Sequence, residues 1–501
     1  MRLAVSLLAV ALPLLGQPAL TIYNQNFAVV REKVPLELKQ GLNQVRYDGA
    51  TAFLEPESVI LRDPAGRVGL ALREQSYRAD PVSASSLLRL YEGKSIEFLV
   101  FREGRQEKVT GKIIRSGYAP PAPQQGWQTY GSFAYASAGT VPTPAGQPVV
   151  EVDGKIQFGL PGMPLFPPLE PGTVIKPLLE WTIESSTAAR LEAELNYISG
   201  MLNWEADYNI VASDKGDSVD LTGWVTMQNQ SGKDFENARI KLMAGDVQKI
   251  APEMRVDRLS MNGVMGGVAG GIPGGLPVTE KTFDEYHLYT LERAVSLHHG
   301  EKKQVEFLRV PQVKSRIVYV YEGAKIDDQR YRGWMPDAIR NDSSYGTISN
   351  PKVWVMREFE NSKANRLGMP LPQGHVRFYR RDSEGRMEFT GEDTIQHTPA
   401  DETLRVFTGA AFDLVGERKR TNFRVDHGRS MIEESFEIRV RNRKTEPVEV
   451  RVDERLYRWA GWEIYTSSQP FKKTESQKAE FTLALAPGEE KVVTYSVRYT
   501  W

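Results

Sequence analysis

Between positions 191 and 247 apolar and polar residues alternate through four successive segments, parted by turns rich in Gly, Ser, Asp and Asn. Leu191, Ala193, Leu195 and Tyr197 share one face of the first segment, and Trp204, Ala206, Tyr208 and Ile210 share one face of the second. A side-chain period of two is what a half-buried strand requires, and the run predicts a β-meander. Val219, Leu221, Val225 and Met227 continue the pattern, and Ala238, Ile240 and Leu242 give a fourth strand after the turn Asn229-Gln230-Ser231-Gly232.

The same alternation extends to both ends of the chain. Residues 20–82 predict short strands parted by Gly41, Gly49 and Pro64-Ala65-Gly66, and a helical turn or two is expected after Ser85, with Gly93 as its stop. Residues 96–101 and 109–114 predict an antiparallel pair. Residues 149–152 and 156–158 predict a hairpin around Asp153-Gly154, a dipeptide that favours a type I′ turn. In the last third Phe436, Ile438 and Val440 alternate before a turn, Val448, Val450 and Val452 after it, and Ala486-Pro487-Gly488-Glu489 is expected to be the hairpin loop between the last two strands. Turns at such short intervals favour sandwiches over an alternating α/β plan. The expected fold class is all-β, with immunoglobulin-like β-sandwich domains, a small inserted SH3-like β-barrel and few short helices. The expected division is a signal peptide over 1–19, N-terminal strands over 20–87 that pack with the following sandwich, the inserted barrel over 88–172, a sandwich over 173–322 and a C-terminal sandwich over 323–501.

Two stretches carry a resemblance. LNYISGMLNWEADYNIV, followed by GWVTMQNQSGKDFENARIKLMAGDV, resembles the core of the bacterial domain-of-unknown-function 4139 family, some of whose members are labelled mucoidy inhibitor A-like. Residues 366–419 have that family's Leu-Gly-x-Pro-Leu-Pro-x-Gly opening and its Gly-Glu-Asp centre, and FTLALAPGEEKVVTYSVRYTW resembles the end of such domains. LTIYNQNFAVVREKVPLELKQGLNQVRY is similar to their N-terminal strands. Mucoidy-type members carry a helical coiled-coil insertion, and no long heptad run appears here. The resemblance implies a β fold and an envelope location, and it implies no catalytic residues.

Length and charge narrow the function classes. At ~150 residues per domain, a chain of 501 residues is expected to form about three domains. Lys and Arg number 63 against 64 Asp and Glu, a balance that leaves no electrostatic footprint for nucleic acid or an anionic membrane. Arg2, the apolar run over 3–15 and the small or helix-breaking Gly16, Pro18 and Ala19 predict a secretory signal. That run is shorter than the ~20 residues that span a bilayer, and no later segment approaches that length, so no transmembrane segment is expected in the mature chain. With no cysteine, disulfides and thiol chemistry are ruled out together.

No phosphate-binding glycine motif occurs in the glycine-rich stretch 261–277, and the six histidines show no His-Glu-x-x-His spacing. No metal ligand set and no cofactor are expected. Glu392, Asp393 and His397, with Asp401 and Glu402 nearby, form the densest polar cluster and are the weak catalytic candidates, since on a strand Asp393 and His397 would share a side. The ligand-binding candidates are aromatics in irregular polar stretches: Trp127, Tyr130 and Tyr135 in the loop 119–148, and Trp334 in the insert 327–344. Trp181, Trp204, Trp224 and Trp354 lie inside strand patterns and are expected in the core. The reading is an exported protein, periplasmic or extracellular, that binds an envelope protein or polysaccharide without chemistry of its own. Its rival is a hydrolase of envelope polysaccharide or peptidoglycan.

Overall fold

The computed structural model describes residues 16–78, 84–102, 105–117, 147–168, 176–213, 216–245, 247–249, 278–283, 286–326 and 329–501. Strands make up 64% of the chain and helices 4%, so the fold is all-β. The chain forms two compact units, one from Met1–Trp204, Met227–Pro273 and Lys281–Lys303, the other from Glu205–Thr226, Gly274–Glu280 and Gln304–Trp501.

In the first unit, strand Ala19–Tyr23 runs parallel to Phe235–Ala244 and antiparallel to Phe27–Leu38, which pairs along its whole length with Ala189–Gly200. Val30 and Val34 are buried opposite Tyr197 and Ala193, and Leu36 and Leu195 are buried in the same rows. Glu32 falls in the same inward row, where its carboxylate accepts from Tyr47 Oη at 2.9 Å and pairs with Lys233. A three-stranded sheet of Gly41–Tyr47, Leu178–Ser185 and Leu70–Arg78 buries Trp181 and Ile183. The inserted region is a five-stranded antiparallel sheet in the order Met163–Leu165, Ser95–Arg102, Arg105–Arg115, Val149–Val152 and Lys155–Phe158. Its core of Ile96, Phe98, Ile113 and Val150 takes in Leu88 from helix Ala84–Leu90. Asp153 and Gly154 both have positive φ, 49° and 71°, as a type I′ turn requires.

The second unit holds the greater part of a five-stranded sheet in the order Lys302–Lys314, Ser218–Asn229, Leu202–Ala212, Gly374–Arg381 and Met387–Ile395. Interleaved with it along the chain are the strands of a nine-stranded sheet. Its order is Trp462–Ser467, Glu490–Thr500, Met431–Asn442, Thr403–Asp426, Lys352–Glu360, Arg316–Tyr321, Val448–Arg455, Lys478–Leu485 and Phe471–Glu475. The first and last of these strands are separated by only residues 468–470, so the sheet bends enough to bring its two edge strands to the ends of one short loop, although no ladder joins them. Trp462 Nε1 donates to Ser476 O at 2.7 Å near those edges. Phe436, Ile438, Val450, Val452, Phe481, Val493 and Tyr495 fill the interior.

Two expectations change. The four strands between 191 and 247 are present, but they are not a meander: Ala189–Gly200 and Phe235–Ala244 lie in one sheet, Leu202–Ala212 and Ser218–Asn229 in another. The chain turns between sheets at Met201, whose φ is 65°. Likewise Ala486-Pro487-Gly488-Glu489 joins strands that stand far apart in the sheet order, so it is a crossing and not a hairpin loop. Alternation tells which face a residue takes and says nothing of the neighbouring strand.

Such crossings are fastened by a buried asparagine at the end of a strand, in three places. Asn442 Nδ2 donates to Glu446 O at 2.9 Å and Ala486 O at 3.0 Å, its Oδ1 accepts from Lys444 N, and its own N–H donates to Glu489 O. Asn229 does the same with Lys233 O, Leu297 O, Ser231 N and Glu301 O. Asn361 does it with Met369 O, Pro399 O, Gly368 N and Glu402 O. The residue before each glutamate, Gly300, Asp401 or Gly488, has positive φ of 80°, 64° and 74° respectively. Main-chain groups inside a crossing loop have no ladder to join, and one amide side chain satisfies several of them at once.

Candidate functional site

Between strands Arg316–Tyr321 and Lys352–Glu360 the second unit carries an insert, closed at its base by Lys325 N donating to Ile348 O and Asn350 N donating to Gly323 O, both at 3.0 Å. It contains the short helix Pro336–Asn341. Tyr331 is buried in it, its hydroxyl 3.1 Å from Ser344 Oγ and its ring edge-on to Trp334 at 5.1 Å and to Tyr345 at 4.7 Å. Trp334 and Met335 remain 42% and 73% exposed, so the insert presents an apolar tip on an ordered aromatic base.

Three arginines hold the insert by its backbone. Arg418 Nη1 donates to Gly346 O at 2.9 Å, Arg420 Nη2 donates to Ser343 O, and Arg458 donates to Ile339 O at 2.9 Å and Tyr345 O at 3.2 Å. Each is paired from below with one of two buried carboxylates. Arg418 Nε lies 3.0 and 2.9 Å from the two oxygens of Glu454, which also accepts from Tyr495 Oη. Glu434 pairs with Arg458 at 2.9 Å and Arg420 at 3.1 Å. Both glutamates are fully buried. The guanidiniums also lie over rings, Arg418 on Phe436 at 3.9 Å and Arg458 on Phe423 at 4.7 Å. Arg340 of the insert stands between Trp459 at 4.0 Å and Trp501 at 4.7 Å. Gly346 has φ of 70°, and a Cβ there would come 2.1 Å from the Tyr457 ring, so only glycine lets this carbonyl reach both Arg418 and the Tyr457 hydroxyl.

Burial is severe enough to move proton affinities. Desolvation, reinforced by the Glu434 charge, pushes the Tyr457 phenol up to about 12. Desolvation also raises Tyr495 and Tyr499 well above their ordinary value, helped by Glu454 and Glu434 respectively. Burial is the largest single influence on Arg418 and works against its charge, but Glu454, Tyr495 and Tyr457 together outweigh it and hold the guanidinium well above its ordinary value. The latch is therefore a fixed array of charges bonded to neutral phenols.

Of the residues singled out by sequence, Trp334 is at this tip, whereas Trp127, Tyr130 and Tyr135 lie outside the described residues. Glu392 and Asp393 are adjacent on strand Met387–Ile395 and so point to opposite faces. Asp393 accepts from Phe407 N at 2.7 Å and Thr394 N at 2.8 Å, tying one strand to the next. His397 lies past the strand end, its Nδ1 accepting from Gln373 N at 3.1 Å, and Asp401 and Glu402 belong to the Asn361 crossing. Among the described residues no group of three or more His, Asp or Glu side chains is placed to hold a metal ion. Trp181 and Trp204 are in the core as expected, but Trp224 and Trp354 are only half-buried.

A family model described as a domain of unknown function, DUF4139, matches residues 193–501. The chain belongs to this family. No curated protein matches the chain. The DUF4139 match contains the insert, its three arginines and all three asparagine crossings.

The latch residues were missed by sequence reasoning, although signals existed. Glu434 sits in the inward row Ile432, Phe436, Ile438, Val440, and Glu454 is the fourth inward position after Val448, Val450 and Val452. A carboxylate on an apolar register calls for a buried partner.

Proposed function

We propose that this DUF4139 protein is an exported component of the bacterial envelope that binds an envelope protein or polysaccharide, with the tip Trp334-Met335 as its contact surface and no chemistry of its own. The observation that carries the reading is the contrast within the insert: an exposed apolar pair stands on a backbone pinned by Arg418, Arg420 and Arg458. Holding a loop this way fixes it before a partner arrives, which lowers the ordering cost of binding. Trp and Met suit such a tip, since Trp supplies large contact area with few rotors and Met adapts its shape. The signal-like run over 3–15 supports export. No helix among the described residues is long and apolar enough to cross a membrane.

The test is retention on solubilised envelope fractions by the full mature chain and by its Trp334→Ala/Met335→Ala variant. The variant is expected to lose at least tenfold in retention with unchanged melting temperature. Equal retention by the two proteins would remove the tip as the binding surface.

A further inference from the structure

A second surface in the same unit points to the class of ligand. On strand Lys352–Glu360 the carboxylate of Glu358 is almost wholly buried and is approached by three arginines from three other strands. Arg316 lies 2.7 Å from its Oε2, and Arg405 and Arg451 lie 2.7 and 3.2 Å from its Oε1. Arg316 and Arg405 stand directly opposite Glu358 in the flanking strands. Three guanidiniums carry fifteen N–H donors, and one carboxylate offers about four acceptor positions. The cluster thus has two positive charges and most of its donors in surplus, and Arg316 and Arg405 are 68% and 44% exposed.

Trp354 pairs with Val320 as Glu358 pairs with Arg316, so the two are on one side of the strand, the side away from the core residues Val353 and Tyr321. Four residues separate them, about 13 Å at ~3.3 Å per residue. Trp354 is half-buried against Phe407, ring edge to ring face at 5.5 Å, and keeps part of its surface open. A sheet face with aromatic rings at one end and surplus arginines at the other offers apolar contact and forked carboxylate recognition in line.

We infer that this face binds an acidic polysaccharide, a polymer whose sugar rings carry carboxylates. The inference rests on the binding role proposed above but uses a different surface. An extended sugar chain supplies carboxylates at a regular spacing and ring faces between them, which fits both halves of the surface. A run of acidic residues such as polyglutamate supplies the charge without the ring faces.

Polygalacturonate is the probe, with dextran as the neutral polymer and polyglutamate as the non-sugar polyanion, titrated into the full chain at low ionic strength. Polygalacturonate is expected to bind, dextran not to bind, and polyglutamate to bind at least tenfold more weakly. Arg316→Gln/Arg405→Gln should weaken polygalacturonate at least tenfold. Arg316→Gln alone, at the most exposed of the three positions, should weaken it severalfold with no change in melting temperature, and this variant decides the matter if the double variant unfolds. Glu358→Gln, which removes the competing internal carboxylate, should tighten binding, an effect that a purely structural cluster would not show. Absence of polygalacturonate binding, unchanged affinity in Arg316→Gln, or equal binding of polyglutamate would overturn the assignment. Trp334→Ala/Met335→Ala should leave polygalacturonate affinity unchanged, so failure here and failure of the tip are separate results.

Discussion

The Asn442 crossing and the arginine latch solve the same problem with different chemistry. Both use side chains to donate to the main-chain carbonyls of a loop that has no ladder partner. At the crossing, one short neutral amide does this and accepts one N–H in return. At the latch, Arg418, Arg420 and Arg458 do it, each needing a buried glutamate to carry its charge. A neutral amide in a fully bonded setting contributes stability at small desolvation cost, whereas a buried ion pair often gains little over an apolar substitute. The crossing recurs three times and serves the fold. The latch occurs under one exposed tip, and its expense is intelligible if holding that tip in one conformation is its purpose.

The largest expected effect is at the latch. Glu454→Ala leaves Arg418 buried without its carboxylate and should cost about 3–5 kcal/mol, read as a fall in the denaturation midpoint. A loss below ~1 kcal/mol would mean that the pair is solvated and that the contrast with the crossing is false. Asn442→Ala should cost about 1–3 kcal/mol through the unsatisfied carbonyls. Asn442→Asp should cost more than Asn442→Ala, because it sets a carboxylate against the Glu446 and Ala486 carbonyl oxygens. If Asp is tolerated better than Ala, donation is not what the residue supplies.

Alkali should separate the two regions without mutation. Burial first, and the glutamates second, raise Tyr457, Tyr495 and Tyr499 above their ordinary value, so the folded chain keeps them neutral while the unfolded chain ionises near pH 10. Their contribution is intact below that pH and declines above it, by about 1.4 kcal/mol per pH unit per tyrosine until the folded group itself titrates. Amide exchange between pH 9 and 11 should therefore accelerate in 338–348 before it does around Asn442, which has no titrating partner. The smallest effect is at the tip: Trp334→Ala should change stability by less than about 0.5 kcal/mol, since exposed substitutions seldom do more.

Much of the β character was legible because the period of two is written along the whole chain. Strands, the type I′ hairpin at Asp153-Gly154 and the core places of Trp181 and Trp204 follow from it. Partner choice does not, as the lost meander and the Ala486–Glu489 crossing show, because pairing depends on contacts far away in sequence. The site was half legible. Trp334 stood out as an aromatic among charges, but Arg418 and Arg420 in Gly416-Glu417-Arg418-Lys419-Arg420 resemble a solvated charge run. Their parity with inward Leu414 and Gly416 is the only local hint of burial. Trp354 misled in the other direction, since a strand position fixes a face and this face lies away from the core.

The central claim is that the pinned insert is where a partner sits. Amide hydrogen exchange of the full mature chain, with and without a saturating solubilised envelope fraction, tests it most directly. The account predicts added protection across 331–348, already slow to exchange in the free chain. Unchanged exchange there, with protection appearing elsewhere, or a free insert that exchanges as fast as an unfolded peptide, would contradict it.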